Sequence, residues 1–70
     1  MEVTVKYKLY DLRNKKGLTD QQLADKVGVS KSTINNIENN RTNTTVMILC
    51  QIAVALEVRP EELFEYYVKL

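Results

Sequence analysis

Four of the six residues from Asn35 to Asn40 are asparagine, and asparagine is a poor helix former. Such a cluster needs a reason other than propensity. A side-chain amide carries a donor and an acceptor, so it can pair two ways with an adenine edge, whereas Lys and Arg more often read guanine. Groups suited to catalysis are scarce by comparison. The chain has no histidine and one cysteine, Cys50, which removes the commonest general base, the usual triads and any His/Cys zinc site. Carboxylates and lysines remain, without a nucleophile and base pair or a metal set. The expectation is a non-enzyme with no catalytic residue, no metal and no cofactor.

Seventy residues, 44% hydrophobic and 27% charged, fit one small globular domain over 1–70. A lone cysteine allows no intrachain disulfide and suits a reducing compartment, so the expected location is cytoplasmic. The longest apolar stretch, Val46 to Leu56, is 11 residues, short of the roughly 20 that span a bilayer. Neither a membrane nor a small-molecule partner is expected. Net charge is only +1, but residues 1–41 hold eight basic and five acidic side chains, against two and four in the remainder. That asymmetry can turn a weakly positive face towards a polyanion.

The elements that must position the asparagines follow from local chemistry. Val3, Val5 and Tyr7 alternate with Thr4 and Lys6, which allows a short strand. Leu9 and Leu12 then take helical spacing over about 7–16, closed by Lys15, Lys16 and Gly17. Thr19 with Gln22 fits a capping box, Leu23, Ala24 and Val27 form an inward stripe, and Gly28 stops this second helix. Ser30 caps a third, anchored by Ile34 and Ile37. On a wheel of 100° per residue, Ser32, Asn35, Asn36 and Asn39 lie opposite those anchors.

Asn39 to Thr45 reads as a loop ending in a Thr cap. A fourth helix would bury Val46, Leu49, Cys50, Ala53 and Leu56 along one face, which makes Cys50 a small core residue. Pro60 would open a short fifth helix burying Leu63 and Phe64. All five aromatics, Tyr7, Tyr10, Phe64, Tyr66 and Tyr67, sit in the terminal segments, so the ends should meet. A Val3-to-Tyr7 strand beside a Tyr66-to-Leu70 strand would do this, within one chain or across a dimer.

Two short helices joined by a three-residue turn need a small residue at the crossing, a residue free to take positive φ, and apolar anchors behind the second helix. Ala24, Gly28, Ile34 and Ile37 meet those needs within the block Leu18 to Glu38. This block resembles the Xre/Cro-type helix-turn-helix family of phage and bacterial repressors. Leu12-Arg13 before it, and Leu49, Ile52-Ala53, Ala55-Leu56, Val58 and Glu62-Leu63-Phe64 after it, extend the likeness over about residues 9–64. The resemblance implies an all-α, compact five-helix lambda-repressor-like bundle, with the motif at helices 2 and 3 and room for a terminal strand pair.

It also implies roles residue by residue. Lys31, Ser32, Asn35 and Asn36 would contact bases. Thr19, Gln21, Asn39, Asn40, Arg41 and Asn43 are placed for phosphates, with Arg41 foremost. Glu38 lies roughly 70° from the inward stripe and needs a partner. Arg13 stands where the family carries a structural ion pair to it. Asp20 departs from the glutamine that many members have at its position, where a carboxylate would repel phosphate, and Asn40 from the glycine that many have.

The expected function is sequence-specific double-stranded DNA binding by a transcriptional regulator, with repression favoured. A homodimer is expected on a palindromic site, its surface drawn from the fifth helix and the terminal aromatics. The alternative is an antitoxin or another protein-interaction module on the same fold. RNA reading is disfavoured, because the polar face lacks an aromatic stacking platform.

Overall fold

The computed structural model describes residues 1–70, running β1 (Glu2–Tyr7), α1 (Leu9–Lys15), α2 (Asp20–Val27), α3 (Lys31–Glu38), α4 (Val46–Leu56), a 3-10 turn (Pro60–Leu63) and β2 (Phe64–Lys69). Each helix bearing the polar face starts on a satisfied cap. Thr19 Oγ1 accepts the Gln22 N–H at 3.1 Å, while Gln22 Oε1 accepts the Thr19 N–H at 2.9 Å. Ser30 Oγ takes the Thr33 N–H, and Thr45 Oγ1 the Ile48 N–H, both at 3.1 Å. Orphan amides at three helix starts are thereby paired.

Gly28 ends α2 at φ 86°, in the left-handed region. An added Cβ there would meet nothing within 4 Å. Strain in Gly28→Ala therefore comes from the backbone, and the variant should lose about 1–2 kcal/mol. Thermal unfolding measures it; an unchanged melting temperature would deny the left-handed turn.

Leu23, Ala24, Ile34 and Ile52 are wholly buried, with Leu9, Ile37, Ala53, Leu56 and Leu63 nearly so. The absence of a bulky side chain at Ala24 lets α2 and α3 approach, and Ile34 and Ile37 hold α3 from behind. At the two ends of the chain, β1 and β2 pair antiparallel from Glu2↔Lys69 to Tyr7↔Phe64. Alternation sets Val3, Val5 and Tyr7 with Val68, Tyr66 and Phe64 on one face. The chain ends meet as the aromatic distribution suggested, within one chain.

Three expectations are corrected. The fifth helix is a single 3-10 turn, and Phe64 already belongs to β2; the four residues from Pro60 to Leu63 do not make a stable α-helix when the next must join a sheet. The first helix starts at Leu9 because Tyr7 is still strand. In α4 the buried residues are Ile52, Ala53 and Leu56, whereas Val46 is 77% exposed and Cys50 only partly covered. This helix carries no charged residue, so apolar spacing alone could not set its rotation.

Candidate nucleic-acid interface

The outer side of α3 carries Lys31 and Ser32 exposed and Asn35 and Asn36 half-buried. Neither asparagine amide bonds to the rest of the chain, and Lys31 and Arg41 have no acidic partner. Asn36 shares a shallow cleft of about 240 Å³ with Asn43 and Thr42, between α3 and the loop that follows. Lys31 lines a wider cleft of about 560 Å³ with Thr19 and Gln21. The structure therefore groups these side chains on both flanks of α3.

The remaining phosphate candidates have internal duties. Gln21 Nε2 donates to Asp25 Oδ1 at 2.8 Å, and Asn39 Nδ2 to the Asn35 carbonyl at 2.8 Å. Thr19 Oγ1 serves as the α2 cap, leaving its own hydroxyl hydrogen to give. Asn40 takes φ 56°, in the left-handed region, and its Oδ1 accepts the Tyr7 N–H at 2.8 Å. That bond uses the amide oxygen and leaves the NH₂.

Behind this face sits a charged trio. Arg13 Nε donates to Glu38 Oε2 at 2.5 Å, and Arg13 Nη1 to the Leu18 carbonyl at 2.8 Å. Asp20 Oδ1 also lies 2.8 Å from Nε, but Nε has one hydrogen and Glu38 takes it, so this buried oxygen has no hydrogen bond. Side-chain exposures of 9% for Arg13, 5% for Glu38 and 18% for Asp20 show how little water reaches them. The Arg13 guanidinium also stands 5.3 Å over the Tyr10 ring. Sequence reasoning marked Asp20 only as a carboxylate that would repel phosphate; the structure makes it a second carboxylate facing Arg13.

One cation facing two carboxylates leaves a buried negative excess. Burial pushes the Glu38 carboxyl above its ordinary range and Asp20 adds to the rise, outweighing the hydrogen bond and attraction from Arg13. A raised folded pKa means that this group's stabilising contribution is full at acid pH and is lost as pH climbs through the folded value. Glu38→Gln cannot ionise. Its melting temperature relative to wild type should therefore improve as pH rises above the ordinary carboxylate range. A difference that stays flat with pH would show that Glu38 does not titrate this way.

With this geometry in view, the family model described as Helix-turn-helix matches residues 9–63. The chain belongs to the helix-turn-helix family. Among its relatives, antitoxin HipB of Escherichia coli (strain K12) is 40% identical over 47 residues, covering 67% of this chain and 53% of HipB. The chain thus spans about half the length of that curated relative. The restriction-modification controller protein C.AhdI from Aeromonas hydrophila superposes with a TM-score of 0.74 at 31% identity, covering 77% of this chain and 82% of that one. SinR of Bacillus subtilis, a master regulator for biofilm formation solved in complex with DNA, gives 0.73 at 33% identity, with 77% and 87% covered. Strands β1 and β2 both lie outside the matched helix-turn-helix span. No helix is long and apolar enough to cross a membrane.

Proposed function

We propose that the chain is a sequence-specific binder of double-stranded DNA that regulates transcription, with α3 in the major groove. One observation carries this reading: α3 is held from behind by buried Ile34 and Ile37 while Lys31, Ser32, Asn35 and Asn36 keep their polar groups unengaged on its outer side. In water such groups merely solvate; against base edges they discriminate. Arg41 and Asn43 flank them to meet phosphate, and repression follows from occupying a promoter. The likeness to SinR, solved with DNA, supports the assignment.

Weak positive charge per chain favours a homodimer, since two heads double the phosphate contacts. Val3, Tyr66 and Val68 on the open part of the sheet, and Val46, Met47 and Val54 on α4, remain exposed and give a second copy its apolar surface. The likeness to HipB keeps an antitoxin role as the second reading.

Selection from a randomised duplex pool, together with the mass in solution, tests these points. A defined palindromic site bound by two chains is expected. Enrichment of no site would end the DNA reading and favour a protein partner, and a monomer on a single half-site would remove the dimer.

A further inference from the structure

We infer that Tyr7 is a positioning residue for DNA binding: the terminal ribbon uses it to hold the α3–α4 loop, and so Arg41 and Asn43, in register with the phosphate backbone. This rests on the DNA-binding reading above. Tyr7 makes two polar contacts with that loop. Its N–H donates to Asn40 Oδ1 at 2.8 Å, and its hydroxyl oxygen accepts the Thr44 N–H at 3.1 Å. The partners lie 33 and 37 residues away in sequence, and between them stand Arg41, Thr42 and Asn43.

The rest of the loop is lightly tied. Its start follows α3 through Asn40 N–H to the Ile37 carbonyl at 3.1 Å and Arg41 N–H to the Asn36 carbonyl at 2.9 Å. The far end, Thr44, is fastened to Tyr7, and its own hydroxyl is buried without a partner. Asn40 holds a left-handed backbone, a conformation that survives only where the surroundings impose it. The Tyr7 bond to its amide oxygen is such an imposition.

Tyr7 is itself well anchored. It is 9% exposed, pairs with Phe64 across the ribbon, and is followed by Lys8, whose N–H donates to the Leu63 carbonyl at 2.8 Å. A phenylalanine would fill the same apolar site, so burial alone does not account for the hydroxyl. Residues 1–8 precede the span that the family model matches, which makes the clamp an addition to the shared motif. A loop ordered in advance loses less conformational freedom when it binds.

Four proteins decide the matter: wild type, Tyr7→Phe, Arg41→Ala and the double variant, each titrated over a range of salt with the duplex selected by wild type. Tyr7→Phe should melt close to wild type yet bind about three- to tenfold more weakly, on specific and unrelated duplexes alike. Its salt dependence should be shallower by about one counterion per loop released, a readout that stability alone does not move. The double variant should lose less than the two single losses added together, because both changes remove the Arg41 contact and only that of Asn43 is left for Tyr7→Phe to weaken. Amide exchange at Thr44 should quicken in Tyr7→Phe.

Asn40→Gly, which keeps the left-handed backbone but removes the acceptor, should act likewise and serves if Tyr7→Phe unfolds. Wild-type affinity and slope in both variants, or losses from Tyr7→Phe and Arg41→Ala that simply add, would overturn the inference while leaving the DNA reading intact. If wild type selects no duplex, it is the DNA reading that fails and this inference falls with it.

Discussion

Arg13→Met is expected to lower stability by about 3–5 kcal/mol at neutral pH, a large part of the roughly 5–15 kcal/mol that holds a small domain together. Methionine keeps an apolar stem of similar length, so the loss reads charge rather than packing. With the guanidinium gone, Glu38 and Asp20 face each other in a site that water barely reaches. The Leu18 carbonyl also loses its donor. Glu38, already held above its ordinary range by burial, then loses the attraction that Arg13 opposed to that rise, so damage should be greatest above the carboxylate range and recede on acidification. Adding Glu38→Gln should restore part of the loss at neutral pH, since one of the two facing charges disappears. Thermal unfolding of the single and double variants across pH checks all three points. Superimposable melting curves, or a loss independent of pH, would mean that the trio is not the fastening between α1, α2 and α3 that its geometry indicates.

What could be read from residues alone follows a physical divide. Caps and turns are decided by neighbours a few positions apart, and Thr19 with Gln22, Ser30 with Thr33, and Gly28 were legible for that reason. The rotation of α4 was not legible, because a helix with apolar residues on every side gives no polar stripe to phase it. Asp20 and Tyr7 show a different limit. A carboxylate at a helix start already has a local explanation in the helix dipole, so nothing near Asp20 announced that the chain would bring Arg13 within 2.8 Å of it. Tyr7 carried a usable signal: its alternation with Val3 and Val5 placed the ring inward, and a buried hydroxyl requires a partner. The identity of that partner, a backbone amide 37 residues on, belongs to tertiary structure. Among phosphate candidates, all exposed, side-chain hydrogen bonding separates Arg41 and Asn43, which remain free, from Gln21, Asn39 and Asn40, which are engaged. Residue type and spacing could not make that distinction.

Asn35→Ala and Asn36→Ala should each lose about 1–3 kcal/mol of DNA binding, or about 5- to 150-fold, at particular base pairs of the preferred site and little elsewhere. Arg41→Ala should instead weaken every duplex alike and flatten the salt dependence, as a phosphate contact does. The asparagine variants have a second expected signature. Alanine is the best helix former and asparagine a poor one, and neither amide bonds to the rest of the chain. The variants should therefore melt at or slightly above the wild-type temperature while losing discrimination. A core or cap residue could not behave so; gained stability with lost selectivity marks side chains kept for a partner. Titrating each variant against the selected duplex and single-base-pair substitutions of it reads the pattern directly. Uniform loss at all sequences, or a fall in melting temperature that accounts for the weaker binding, would show that Asn35 and Asn36 shape α3 and do not read bases.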